Sequence, residues 1–286
     1  MRTWIVGGLA LVLTVGVLPA QAVEPLGLYD DFHGTQLDPA KWAGDQSAAI
    51  TISSLPVGGL LDAVREVLFG RLRLGARYYG SPSLDTGAPS GRLRLSFTKP
   101  APVTAIDATL LVTRAEAVGC ASNQEFAARA QARLSGFFFN TTTPPTPIVG
   151  NTNDVFAFVR VQRWSDSTDP EHVLQIVGFV LLCLDPYCNG TSQLGTVSLG
   201  TVYLWQPVRL RIQWDQANHR FIFQRGHQAE VYVDYIVPDI QPSLFPFKRV
   251  ELAHEVPNCT TAPRANAFME LLVDKVLVNQ SAVPLP

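Results

Sequence analysis

The sequence predicts an all-β protein, many short antiparallel strands closed into a sandwich or barrel, and three observations carry that reading. In Val208-Arg-Leu-Arg-Ile-Gln-Trp214 the even positions are apolar and the odd ones polar, the period of two that marks a strand buried on one face. Arg92-Leu-Arg-Leu-Ser-Phe97 repeats the pattern, and Arg71-Leu-Arg-Leu74 does so more briefly. Turn residues separate such segments, as in Asp215 to His219, which reads as a hairpin turn into Arg220-Phe-Ile-Phe223.

The chain starts with a leader. Arg2 supplies a positive start, Trp4 to Leu18 is apolar, and Ala20-Gln21-Ala22 has the small-x-small form of a cleavage site. Residues 1–22 are therefore expected to be a signal peptide, leaving residues 23–286 as one domain beginning at Val23. The apolar run falls short of the ~20 residues needed to span a bilayer, and Pro19 closes it. No later segment is long and charge-free enough to span, so the mature chain is expected to be secreted, periplasmic or extracellular, with no membrane span. Lys and Arg number 22 against 24 Asp and Glu, and the positive residues are scattered singly along the predicted strands. Nucleic-acid binding through a basic face is not expected from that spacing.

Four cysteines in an exported chain favour disulfides over zinc. Cys183 and Cys188 bracket an Asp-Pro turn that brings them within bridging range, which leaves Cys120 with Cys259. A zinc site of four thiolates is the alternative, although a second close cysteine pair is missing.

Between these markers the strands follow in order. Ser122-Asn-Gln-Glu125 has the form of a helix capping box before an Ala/Arg-rich run, yet Phe126, Ala128, Ala130, Ala132 and Leu134 alternate with polar residues, and strand is the preferred reading. Thr141 to Pro147, "TTTPPTP", is a loop. Val173 to Cys183 is apolar almost throughout, which predicts a central strand buried on both faces between neighbours at 155–164 and 196–205.

The stretch "DDFHGTQLDPAKW" after the leader resembles the start of concanavalin A-like lectin/glucanase domains, the jelly-roll superfamily that includes laminin G-like modules and family-16 glycosidases. "FGRLRL" at 69–74 is similar to the first inner strand of that superfamily, "VRLRIQWDQANHRFIF" at 208–223 to its hairpin, and "MELLVDKVLVN" at 269–279 to its closing strand. The resemblance implies a two-sheet antiparallel β-sandwich. Trp42 and Phe32 are then expected to anchor the opening turn in the core.

The resemblance also says what chemistry to look for. Family-16 glycosidases carry E-x-D-x-E on one strand, where alternation sends all three carboxylates to one face. No Glu here is followed two positions later by Asp or Glu; Glu230-Val-Tyr-Val-Asp234 lacks the middle acid. There is no G-x-S-x-G, and His254-Glu255 lacks the second histidine of a zinc protease helix. The expected function is therefore a secreted, non-catalytic module that binds carbohydrate or a surface glycan at a concave sheet face. A structural or protein-binding laminin G-like module is one alternative, and a glycan-active enzyme with an unrecognised carboxylate site is another.

Sugar rings stack on aromatic side chains while their hydroxyls need polar neighbours. Tyr203 and Trp205 share one strand face in this reading, Arg209, Arg211 and Gln213 form the polar face of the next strand, and Tyr232 and Asp234 share another. These seven are the candidate ligand-binding residues. The alternative is that Tyr203 and Trp205 point inward and the arginines solvate the sheet. No cofactor is required, but the resemblance implies a structural calcium. Asp274, the acid in "LLVDKVLV", would hold it with main-chain oxygens of Asp31 and Gly70. Without the ion, Asp274 is expected to pair with a nearby Lys or Arg or with backbone N–H groups.

Overall fold

Fifteen strands order the described residues, which in the computed structural model are 24–43, 61–82 and 86–284. The signal peptide expected at 1–22 lies outside them. In chain order the strands are β1 (Leu26–Asp30), β2 (Trp42–Ala43), β3 (Leu61–Leu68), β4 (Arg71–Tyr79), β5 (Ser90–Phe97), β6 (Ala105–Val118), β7 (Arg129–Asn140) and β8 (Asp154–Trp164). They continue as β9 (Val173–Cys183), β10 (Thr191–Tyr203), β11 (Val208–Asp215), β12 (Arg220–Arg225), β13 (Val231–Asp234), β14 (Lys248–Glu255) and β15 (Asn266–Asn279).

The strands pair antiparallel into two sheets, giving the jelly-roll sandwich the sequence predicts. One runs β13-β12-β11-β6-β15-β4-β3, with β1 added along β15; the other runs β10-β9-β8-β7-β14-β5-β2. Alternation explains the layering. Leu72, Leu74 and Tyr78 of β4 and Leu210 and Ile212 of β11 face inward from the first sheet, and Leu93 and Leu95 of β5 with Ala132 and Leu134 of β7 meet them from the second. A register slip of one residue would turn each of these sets outward, so the apolar pattern itself holds the pairing.

The opening stretch closes one edge of this core. Trp42 is fully buried against Tyr29, Phe32 and Phe97, with ring centroids 4.9–5.8 Å away. Its indole Nε1 donates to Asp30 Oδ2 at 2.5 Å, and the other oxygen of Asp30 accepts the Phe32 N–H at 3.1 Å. One carboxylate thus satisfies the buried indole and fixes the turn that follows it. Further along, Phe69 and Gly70 both have positive φ (51° and 69°) and form the two-residue turn between β3 and β4, the geometry that matches strand twist.

One expectation needs correction. Val173–Cys183 does pair with β8 and β10, but it is the second strand from the edge, and its outward residues are only half buried. The strand buried at every position is β7, whose sequence alternates alanine with arginine and glutamine. The capping-box residues Ser122–Glu125 lie in a loop, and the Ala/Arg-rich run is strand from Arg129. The disulfides are Cys120–Cys259 and Cys183–Cys188, with Cα separations of 5.5 and 4.7 Å. Among the described residues no helix is long and apolar enough to cross a membrane.

His254 ties the two sheets together. From β14 its Nδ1 accepts the Gln131 N–H (3.3 Å), and its Nε2 donates to the Ala76 carbonyl of β4 (3.0 Å). Burial drives the imidazole from its ordinary 6.5 down to about 4, so the folded ring stays neutral while the unfolded ring takes up a proton. A base whose folded pKa is depressed contributes stability above its unfolded pKa and loses it as pH falls toward the folded value. Stability from urea unfolding is therefore expected to drop between pH 6.5 and pH 4, by up to about 3 kcal/mol from this group. The drop in that window should shrink in His254→Gln.

Candidate functional site

The outer face of the seven-stranded sheet carries the chemistry. In Arg129-Ala-Gln-Ala-Arg-Leu-Ser135 the alanines and Leu134 enter the sandwich, so Arg129, Gln131, Arg133 and Ser135 point the other way. The same alternation on the flanking strands exposes Arg92 and Arg94 of β5, Arg249, Glu251 and Glu255 of β14, and Phe156, Phe158 and Arg160 of β8 to that face. Pairing aligns them in rows. Arg94, Glu251, Arg133 and Arg160 are consecutive cross-strand partners on β5, β14, β7 and β8. Alongside lies the row Ser96, Arg249, Ser135, Phe158 and Phe179.

Glu251 is the hub. It is fully buried, accepts Arg133 Nε and Ser135 Oγ at 2.6 Å each, and has Arg94 Nε at 3.8 Å. Burial opposes its ionisation, but the charges of Arg133, Arg92 and Arg249 and the Ser135 hydrogen bond hold its pKa down at about 2. Glu255, four residues on, pairs with Arg129. Arginine positions that look scattered along the sequence are thus collected by sheet order onto one face.

The other half of the face is apolar. Phe137, Phe156 and Phe158 form a second small core with Phe179, Phe247 and the Cys183–Cys188 disulfide. Arg160 lies over the rings of Phe158 and Phe179, and Arg249 over Phe247 at 3.6 Å. Together the two halves floor a cleft of about 1080 Å³. Its rim is the disulfide loop, where Asp185 accepts the backbone N–H groups of Tyr187, Asn189 and Gly190, and the chain from Leu244 to Phe247. These contacts, that of Gly190 first, hold the Asp185 carboxyl below its ordinary range. Tyr187 stands 81% exposed on that rim.

The residues singled out from the sequence lie elsewhere. Tyr203 ends β10 and stacks on His172, while Trp205 sits past the strand with φ 65° and is 67% exposed. Both face outward, but they do not share a strand face. Nor is β11 the next strand to β10: it belongs to the other sheet, beside β6 and β12. There Arg209 pairs with Asp107 (2.7 Å), Arg211 binds Gln213 and Glu230, and Tyr232 donates to Glu230 (2.9 Å) beneath Arg220. Asp234 is exposed opposite Arg220. These side chains largely satisfy one another on the outer face of the eight-stranded sheet.

Asp31, Gly70 and Asp274 do line one cavity, of about 940 Å³, where β1, the β3–β4 turn and β15 meet. Oxygen donors of this kind suit calcium. Two observations weigh against a fit. Asp31 is bound to His33 (2.8 Å), and Asp274 has Arg71 Nε at 3.6 Å, with Lys275 in the same cavity. Asp274 is also not buried: β15 shifts register between Val273 and Val276, and the carboxylate is half exposed, so it requires no ion to be stable. Among the described residues no three His, Cys, Asp or Glu side chains are grouped to hold a metal.

No family model and no curated protein matches the chain. Among solved structures it is similar to a GlcNAcα1-4Gal-releasing endo-β-galactosidase from Clostridium perfringens (11% identity, TM-score 0.43, covering 92% of this chain and 64% of that one). It is also similar to a laminarinase from Flavobacterium sp. UMI-01 (13%, 0.43, 88% and 98%) and to the lumenal domain of VIP36 bound to Ca2+ and Man3GlcNAc (7%, 0.35, 80% and 86%). The chain thus spans slightly under two thirds of the endo-β-galactosidase. With TM-scores below 0.5, neither a superfamily nor a residue role passes from those proteins to this one.

Two outcomes follow from these sites. Glu251→Gln leaves buried guanidinium groups without their carboxylate and is expected to cost about 3–5 kcal/mol in urea unfolding, against about 1 kcal/mol or less for the more exposed Glu255→Gln. With Asp274 already paired to Arg71, melting curves in calcium and in chelator are expected to coincide. A calcium-dependent rise that Asp274→Ala abolishes would instead assign an ion to Asp31, Gly70 and Asp274.

Proposed function

We propose that the chain is an exported, non-catalytic carbohydrate-binding sandwich module that takes its ligand in the cleft on the outer face of the seven-stranded sheet. The observation that carries this reading is a cleft floor of guanidinium groups laid over phenylalanine rings, with the aromatic ring of Tyr187 exposed at its rim. A pyranose ring has faces of C–H groups that rest on aromatic surfaces, and hydroxyls that need fixed donors beside them. Tyr187, exposed on the rim, supplies the first and the arginines the second. Most of these groups are held on strands, so the face is organised before any ligand arrives. Export is supported by the leader at residues 1–22 and by the two disulfides.

The carboxylates of the cleft support binding over hydrolysis. A glycosidase needs one carboxyl kept protonated and a second within roughly 5–10 Å. Glu251 is held ionised at about 2, and Glu255 lies four residues further along the same strand, roughly 13 Å away along the backbone, in an ion pair with Arg129. A protein-binding role has one observation in its favour, the exposed apolar rim of Tyr187, Leu244 and Phe245.

A glycan-array screen of the exported chain, followed by titration of the best ligand, distinguishes the two. Saturable glycan binding is expected, with Tyr187→Ala weakening it about threefold to tenfold by removing an aromatic wall. Trp205→Ala, on a different strand end, should leave binding and melting unchanged. Loss of binding in Trp205→Ala but not in Tyr187→Ala would move the site to the end of β10, and absence of binding to every glycan would favour the protein-binding role.

A further inference from the structure

Arg133 and Arg160 are direct cross-strand partners on β7 and β8, and both are almost completely buried. Such partners have Cβ atoms roughly 5 Å apart, where like charges repel. Arg133 is neutralised by Glu251. Arg160 is not: one Nη donates to Gln131 Oε1 at 2.9 Å, its Nε has no acceptor, and the rest of the guanidinium rests on Phe158 and Phe179. Arg129 gives one Nη to Glu255, and its Nε also lacks a partner. In total Arg92, Arg94, Arg129, Arg133, Arg160 and Arg249 share two carboxylates, Glu251 and Glu255.

A sheet face does not need this arrangement to be stable. The adjacent row fills the same kind of position with Gln131, Gln162 and Gln175, which are neutral. Burying unmatched cations is unfavourable unless an anion joins them. We infer that the cleft binds an anionic glycan, one bearing sulfate or carboxylate groups, with Arg160, Arg133 and Arg92 around the acid group and Tyr187 against the sugar ring. This assignment rests on the carbohydrate-binding reading and narrows its ligand class.

Guanidinium groups match the oxygens of either acid in paired hydrogen bonds, and a largely desolvated site strengthens each of them. Burial and, after it, the charges of Arg129 and Arg133 disfavour the charged form of Arg160, and a bound anion would relieve the charge repulsion. Nucleic acid is the less favoured polyanion. Its affinity comes from an extended basic track, whereas here the positive charge is one patch beside an apolar rim on a chain of net charge −2.

Calorimetric titration with matched polymers tests the inference: dextran against dextran sulfate, and methyl-esterified against de-esterified polygalacturonate, with single-stranded DNA as the phosphate control. At least one charged polymer is expected to bind tenfold or more tightly than its neutral partner, the preference falling as salt is raised from about 50 to 200 mM. Whichever charged polymer binds names the acid group. Arg160→Gln and Arg92→Gln should each weaken that binding about tenfold. Arg160→Gln should also raise the melting temperature of the free protein, because it removes half of a like-charged pair, and half-buried Arg92→Gln gives the affinity readout should the first variant fail to fold. Equal affinity for neutral and charged partners would overturn the anion assignment and leave carbohydrate binding standing. No binding to any polysaccharide would overturn both, and tighter binding to DNA than to either glycan would overturn the glycan assignment.

Discussion

The buried carboxylate of Glu251 is the constraint on which the seven-stranded sheet depends. β7 can sit in the middle of that sheet with Arg129 and Arg133 on its outer face only because β14 brings an anion beside Arg133 and within reach of Arg94. The alanines and leucine of the same strand are meanwhile fixed inside the sandwich. Pairing register, core composition and the charge pattern of the outer face are therefore one specification. A slip of β14 by one residue would put Leu252 or Val250 outside and Glu251 into the apolar core.

A second consequence is that β7 has two cores. Its inward residues belong to the main sandwich, and its outward Phe137 belongs to the phenylalanine cluster beneath the cleft rim. The disulfide between Cys183 and Cys188 packs into that cluster and anchors the loop that presents Tyr187 and Asn189. Stability of the rim and shape of the cleft floor thus come from the same small group of side chains.

Much of the fold is legible in the sequence because alternation is a local signal. The strands at 71–74, 92–97 and 208–223, the anchoring of Trp42 and Phe32, and the turn between Cys183 and Cys188 all follow from residues close together in the chain. The arginine face was hidden for the complementary reason. Arg92, Arg133, Arg160 and Arg249 each look like the solvated side of an ordinary strand, and only the order β5-β14-β7-β8 makes them neighbours. Sheet order is set by contacts between distant segments and leaves no local trace. Tyr203 and Trp205 misled in the opposite way, since spacing by two implies a shared face only while the strand lasts, and β10 ends at Tyr203.

The place of β15 bears on how the chain can be assembled in time. This strand lies between β6 and β4 and also carries β1, so it joins the β3–β4 hairpin to the β6, β11, β12 and β13 group. In the other layer β14 similarly joins β5 to β7. A chain synthesised from its N-terminus therefore holds separate half-sheets with open edges until residues 248–279 appear. Open edges are sticky, and pairing between remote segments is slow. Synthesis order and closure order run against each other in this topology: the segments made last are the ones that complete both layers.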